Sequence, residues 1–452
     1  MSSARPDCII IGGGLSGLTA AVDLSSRGIS VLLLEQRPHL GGRTYSFVDE
    51  TTGDTVDNGQ HLMMGCYHAT RWLMDTIGSS GLAELQSHLH IDFLHPEKGH
   101  SFLHCPSLPS PLHLLAGMMN LRSLSLADRW KLLKVGLEIR KRPEEIESKI
   151  AHLSVHQWLD GLGQSEENKK YLWDIIAIGS LNDDPKQVSA LLFYRVLRSA
   201  FSGGRENSSL LIPRVGLTQL FAEPCEAFIR SHAGEVLLNC GVDESLFDGN
   251  RLRGVRTSDG QIREASAFIS AVPWYAASPL FSNASGGRGW NLNGHLQASP
   301  IVTINLWFDR TVMEQKFAAL LDSRIHWVFN KSEIYGSGDS SRQYLSLVIS
   351  GAASLMNTSN DELVKGAVKD LAKVFPEVRE ARLMHSLVVK EKRATFSPRP
   401  DVEAHRPASK TKYENLFLAG DWTDTGYPAT IEGAVLSGRK AAEAVAGLGS
   451  AG

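Results

Sequence analysis

The chain has 452 residues, 42% of them hydrophobic and 21% charged, which suffices for a large buried core and excludes a disordered chain. Its 46 basic and 49 acidic side chains leave a net charge of −3, so there is no basic field for nucleic acid and none is expected as a partner. Five cysteines without a CxxC pair argue against a disulfide framework and against a zinc or other metal site, and read as reduced thiols of a cytoplasmic protein.

The apolar run at residues 8–11 is too short for the hydrophobic stretch of a signal peptide. No window of about 18 uninterrupted apolar residues predicts a transmembrane helix, so a soluble or peripheral protein is expected. Residues 7–11 predict a short buried strand, followed at once by Gly12-Gly13-Gly14-Leu15-Ser16-Gly17 and an Ala/Leu-rich helix over 18–27. A second apolar strand, 30–34, ends at Glu35. This is G-x-G-x-x-G inside a strand–helix–strand unit with an acid at its end, the pattern that cradles a dinucleotide. Gly12 permits the tight turn, Gly14 lets a pyrophosphate approach the backbone, and Gly17 lets the helix pack closely on the sheet. Leu15 and Ser16 open the helix, whose free N–H groups and positive dipole end suit phosphates. Glu35 can accept hydrogen bonds from both hydroxyls of an adenosine ribose and would repel the 2′-phosphate of NADP; Gln36 and Arg37 are assigned to the same surface.

Further along come Gly41-Gly42-Arg43, then Asp57-Asn58-Gly59-Gln60-His61-Leu62 and Gly65-Cys66-Tyr67. Residues 125–142 predict a helix capped by Ser125 and Asp128, with Leu126, Trp130, Leu133, Leu137 and Ile139 near helical spacing and a basic character from Arg129, Lys131, Lys134, Arg140, Lys141 and Arg142. Such a helix can lie on an anionic membrane, or serve as an ordinary amphipathic helix with a solvated basic face. Residues 234–240, 241–242, 251–257 and 261–269 read as consecutive strands joined by tight turns, ending at Ala271-Val272-Pro273. Strands are also expected over 301–308 and 344–349. Near the end a strand runs into Gly420-Asp421, and Pro428-Ala429-Thr430-Ile431 opens a helix to about residue 446, with Thr430 as its cap.

The first motif, the Gly-Gly-Arg doublet and the late Gly-Asp together resemble the FAD-binding pattern of the flavin amine oxidase and carotenoid desaturase superfamily. The resemblance implies an α/β fold in which a discontinuous Rossmann-like FAD-binding domain (1–75, 206–274 and 401–452) is interleaved with an α+β substrate-binding domain (76–205 and 275–400). It also implies roles: Gly41, Gly42 and Arg43 at the pyrophosphate, Asp421 after Gly420 at the ribityl and phosphate region, and the backbone of Val242 at the adenine. Asn58 and Gly59 fall beside the flavin, and Ala429, Thr430 and Ile431 put a positive helix end against its electron-rich edge.

Asn58-Gly59-Gln60-His61-Leu62, Leu306-Trp307-Phe308-Asp309-Arg310, Trp327-Val328-Phe329 and Gly420-Asp421-Trp422-Thr423-Asp424 closely resemble the hydroxysqualene dehydroxylases, squalene-associated FAD-dependent enzymes of hopanoid synthesis. That resemblance spans essentially the whole chain. It implies protonation and loss of an allylic hydroxyl and hydride delivery from flavin N5, in a dry apolar tunnel that holds a long isoprenoid. His61 is then the leading acid candidate, with Gln60 orienting it or binding the substrate oxygen, while His113 reads as a loop or surface histidine. Trp307, Phe308, Trp327 and Phe329 are candidates for the tunnel wall. Two departures disfavour an amine substrate: Thr430 stands where amine oxidases carry a cage tyrosine, and residues 299–308 have no lysine. Two alternatives stay open, a polyene desaturase and a non-catalytic prenyl-chain binder like the Rab escort and GDP-dissociation-inhibitor proteins. No second G-x-G-x-x-G follows a strand, so the electron donor is left open, and the expected location is the cytoplasmic side of the inner membrane.

Overall fold

A computed structural model describes residues 5–281, 296–336 and 341–449. Cys8–Ile11 and Val31–Leu34 are buried along their whole length, so both faces of this sheet must be covered. They pair in parallel at the centre of five strands, in the order Glu235–Leu237, Val31–Leu34, Cys8–Ile11, Ala267–Ser270 and Leu416–Leu418. Helix Leu15–Ser26 makes the first crossover and packs against the long helix Ile431–Gly449.

The expected run of consecutive strands at 234–269 divides differently. Val242–Asp248, Arg251–Thr257 and Ile262–Glu264 form a separate antiparallel meander with exposed positions, whereas Glu235–Leu237 and Ala267–Ser270 leave it to join the parallel sheet. The break after Glu264 lets Ser266 and Ala267 donate backbone hydrogen bonds to Asp7 O, which feeds the fully buried Ala267–Ser270 alongside Cys8–Ile11.

A seven-stranded mixed sheet lies in the other half, in the order Leu383–Phe396, Ala298–Phe308, Gln343–Ile349, Trp327–Asn330, Phe317–Leu320, His90–His95 and Gly99–His104. Helices between residues 112 and 201 pack on part of this sheet in one core that includes Phe93, Leu172, Trp173, Phe193 and Phe329. The helix expected over 125–142 is Leu126–Glu138, capped as anticipated by Ser125 accepting from Asp128 N. It stops early because Pro143 disfavours helical geometry at Arg142, which is extended (φ −64°, ψ 133°) and caps the next helix, Pro143–Ile150. Among the described residues no helix is long and apolar enough to cross a membrane. All five cysteines are buried and free.

One buried carboxylate joins the last helix to the site. The N-terminus of helix His68–Thr76 has no side-chain cap of its own. Glu432, in the first turn of Ile431–Gly449, supplies the acceptors: Oε1 takes Ala69 N–H (2.9 Å), and Oε2 takes Thr70 N–H (2.9 Å) and the Thr70 hydroxyl (2.7 Å). Glu432→Ala leaves these donors orphaned in the interior and should cost about 1–3 kcal/mol in urea unfolding, with Glu432→Gln, which keeps one acceptor, losing less.

Candidate active site

A continuous cavity of about 490 Å³ runs from the parallel sheet into the helical half. One end is walled by Gly12, Gly14, Leu15 and Ser16 from the first turn, by Glu35, Gln36 and Arg37 from the end of the second strand, and by Val242. Gly41, Gly42 and Arg43 follow, then Asn58, Gly59, Gln60 and His61, and finally Gly420, Asp421, Ala429, Thr430 and Ile431. Of the residues assigned to the cofactor from sequence only Gly17 is off this wall. A Cβ there would lie 2.0 Å from Gly12 O, so Gly17 permits the helix to approach the turn from behind.

The local geometry suits an ADP-like group. Gly12 has φ +106°, a conformation that favours glycine. A Cβ on Gly14 would meet nothing closer than Gly42 Cα at 4.0 Å, so that position opens into the cavity. Gly14 caps helix Leu15–Ser26 without a side-chain hydrogen bond, which leaves first-turn N–H groups directed at the space where phosphates would sit. Glu35 is buried and already fixed, Oε2 by Gly13 N–H (2.7 Å) and Oε1 by Arg37 N–H (2.8 Å), with further lone pairs available to a ribose. The helix Ile431–Gly449 begins at the opposite wall, where Thr430 Oγ1 accepts from Gly433 N–H at 3.1 Å, as the sequence predicts.

Arg43 and Asp421 were assigned separate phosphate and ribityl roles; they are joined here. Arg43 Nη2 donates to Asp421 Oδ1 at 2.7 Å and Nη1 to Ala394 O at 2.6 Å. The Asp421 carboxylate outweighs burial and holds the guanidinium above its ordinary range. The pair presents a fixed cationic edge to the cavity with most of its charge balanced.

The segment 58–64 passes from this pair to the apolar end. Asn58 Nδ2 donates to Arg43 O (3.3 Å), while Leu62 and Met64 pack on the core of the helical half. Gln60 and His61 therefore lie where cradle and apolar limb meet. Burial, opposed by Asp57 and reinforced by Arg43 and Lys331, pulls His61 below the ordinary 6.5, so its resting form is the neutral imidazole. As an acid, His61 must therefore acquire a proton before it can donate one. Beyond it the wall is apolar, with Leu89, Phe93, Leu172, Ile175, Trp327 and Phe329. Trp307 and Phe308 are not part of it. Trp307 stacks on Tyr344 at 4.4 Å and donates to Asp54 Oδ2 (2.7 Å), and Phe308 is core. His113 is neither loop nor surface: it is buried in helix Leu112–Met119 with Nε2 3.1 Å from Ser208 Oγ. The sequence reading missed Glu391, which lines the cavity 3.4 Å from Asn58 Nδ2, and Tyr67, which lines it beside Thr430. Tyr67 falls in a segment already singled out, whereas Glu391 sits on a long strand with no motif around it.

A glycine turn with room for phosphates, a buried acid at the end of the next strand, an inward helix end and a deep apolar limb are the features of a dinucleotide-dependent oxidoreductase. Over residues 15–446 the chain matches the family of flavin-containing amine oxidoreductases and belongs to it. It is an FAD-dependent oxidoreductase, and the cradle fits that cofactor. The chain is similar to the 15-cis-phytoene desaturase of Synechococcus elongatus (26% identical, covering 96% of this chain and 95% of the relative). It is similar to the hydroxysqualene dehydroxylase of Sinorhizobium fredii (28% identical, 96% and 97% covered). An oxidoreductase from Methanosarcina mazei shares the fold, with a TM-score of 0.74 at 17% identity over 96% of this chain and 99% of that one.

The two glycines separate cofactor binding from folding. Gly14→Val should leave the protein folded and weaken FAD by at least about tenfold, read as loss of the yellow chromophore on dialysis. Gly17→Val, which forces a side chain into Gly12 O, should instead lower stability by about 1–3 kcal/mol or more.

Proposed function

We propose that the chain reduces hydroxysqualene, a thirty-carbon allylic alcohol, to squalene for hopanoid synthesis. The carrying observation is one cavity that joins the dinucleotide cradle to an apolar limb, with the polar Gln60–His61 pair at the junction. Reduced FAD held in the cradle would supply the hydride and be oxidised to FAD, which a separate electron donor would have to reduce again. The alcohol takes up one proton and one hydride and leaves as hydrocarbon and water. Gln60 holds the hydroxyl oxygen, His61 delivers the proton that lets it depart, and the apolar limb excludes water from the allylic cation. A lowered pKa makes the His61 imidazolium a strong acid that is scarce at neutral pH. The similarity to a hydroxysqualene dehydroxylase supports this reading; the equal similarity to a phytoene desaturase makes polyene desaturation the second reading, which the same limb would accommodate.

The FAD-binding unit is assigned to 1–75, 206–274 and 401–452, and the substrate-binding unit to 76–205 and 275–400. In support, all five strands of the parallel sheet fall in the first set and all seven of the mixed sheet in the second. A small sheet, Met63–Met64, Leu210–Pro213 and Ala83–Leu85, spans the division.

Anaerobically photoreduced protein given hydroxysqualene should reoxidise with one squalene formed per flavin. Flavin that stays reduced there, with oxidised protein bleached by phytoene or squalene and a newly conjugated product, would establish the desaturase instead. Turnover should rise as pH falls through the lowered His61 pKa, since only the imidazolium donates; His61→Gln should flatten that limb and cost roughly 10²–10⁴-fold.

Docking on the cytoplasmic face of an anionic bilayer belongs to the same reading, because the substrate partitions into lipid. Leu112 and Leu115, and on the following helix Leu126, Trp130 and Leu137, are exposed large apolar side chains. Arg129 ties these two helices together through Leu124 O and Met119 O, and Lys134, Arg140 and Lys141 lie exposed nearby. Replacing Arg140, Lys141 and Arg142 by Gln should weaken co-sedimentation with phosphatidylglycerol vesicles by about tenfold or more. Unchanged sedimentation would remove the membrane from the proposal.

A further inference from the structure

Behind the Gln60 wall lies a buried cluster in which Asp57 and Gln60 meet two residues outside any motif, Lys331 and Tyr335. Lys331 starts helix Lys331–Tyr335, whose cap Asn330 accepts from Glu333 N–H. One helical turn brings the Lys331 ammonium and the Tyr335 hydroxyl to the same carboxylate, Asp57, at 2.9 and 2.7 Å. The Lys331 and Asp57 side chains are 1% and 4% exposed. Asp57 Oδ1 is held from the far side by Ser46 Oγ (2.6 Å) and Leu217 N–H (3.1 Å). Lys331 donates also to Tyr335 Oη and, at 2.5 Å, to Gln60 Oε1.

An ammonium has three N–H donors and no acceptor. Asp57, Tyr335 and Gln60 take all three, so each must offer Lys331 an oxygen. For the Gln60 amide this choice settles which way round it stands: its oxygen faces Lys331 and its NH₂ is turned away. That NH₂ makes one long hydrogen bond, to His61 O at 3.5 Å, which leaves its second N–H for the cavity that Gln60 lines.

We propose that Lys331 is a positioning residue that fixes Gln60 as a hydrogen-bond donor into the cavity, giving the site a preference for an isoprenoid alcohol over the matching hydrocarbon. This rests on the proposed substrate class. A hydroxyl oxygen has the lone pairs such a donor needs; a hydrocarbon leaves the amide unpaired in a partly desolvated wall, and sites of this kind reject the ligand that lacks the oxygen.

The test uses FAD-loaded oxidised protein, titrated with hydroxysqualene and with squalene and read by perturbation of the flavin spectrum. The wild-type protein should bind the alcohol roughly tenfold or more tightly than the hydrocarbon. Gln60→Leu should bring the ratio to within about twofold while squalene affinity holds. The double variant Asp57→Asn/Lys331→Met, which leaves no buried charge unpaired, should do the same, and Lys331→Arg, still only a donor, should keep the preference. A preference that survives both Gln60→Leu and the double variant, or a wild type without one, overturns the inference. Should the double variant fail to fold, Gln60→Leu alone decides the donor and Lys331→Arg decides what orients it, since a preference lost there overturns the role of Lys331. A wild type that prefers the alcohol yet forms no squalene in the anaerobic assay sinks the proposed reaction and leaves this inference standing.

Discussion

The cofactor cradle depends on two close approaches between backbones. A Cβ on Gly438, in the last helix, would sit 2.3 Å from Ser16 O, and one on Gly17 would sit 2.0 Å from Gly12 O. Helix Leu15–Ser26 is thus pressed on one side to its own turn and on another to a helix from the far end of the chain. That double contact aligns the start of the first helix and the start of the last on one cavity, and Glu432 then carries the alignment to helix His68–Thr76. Any larger side chain at these two glycines would separate the groups that the cavity needs together.

Charge is arranged around the cavity in the same economical way. Arg43 with Asp421 and Lys331 with Asp57 are pairs drawn from distant parts of the sequence, 378 and 274 residues apart. Buried or half-buried pairs of this kind add little net stability, because desolvation offsets attraction. Their effect is geometric. One presents a fixed cationic edge beside Ala394 O, and the other backs Gln60 without contributing an uncompensated charge to the apolar limb. His61 is held neutral chiefly by burial, and the two cations add to that against Asp57.

The cradle was legible in the sequence because its physics is local. Gly12, Gly14 and Gly17 act within one turn, Glu35 ends the next strand, and Thr430 caps its own helix. Elements defined by long-range pairing were read less well. Residues 234–269 carry turn signals that suit a simple meander, yet whole-face burial sends Glu235–Leu237 and Ala267–Ser270 to the parallel sheet. The 125–142 helix was drawn too long because its charge pattern continues through Arg142, although Pro143 forbids the geometry. Lys331 had no local signal at all: it lies 271 residues from Gln60, and nothing in the Asn-Lys-Ser stretch distinguishes a buried ammonium from a solvated one. Trp307 and Trp327 look alike in sequence, on strands of the same sheet, and only the pleat decides that one stacks on Tyr344 while the other faces the cavity.

The parallel sheet also imposes an order in time. Its central strand and the glycine turn are made about 400 residues before Leu416–Leu418, Asp421 and helix Ile431–Gly449, which close the same sheet and the same cavity. At ordinary rates of synthesis, roughly 5–20 residues per second, the first helix waits on the order of a minute for the partner that covers it. During that interval Cys8–Ile11 and the Ala/Leu face of Leu15–Ser26 are apolar surface without their final cover. FAD therefore gains its full set of contacts only once helix Ile431–Gly449 has been made and has packed on Leu15–Ser26.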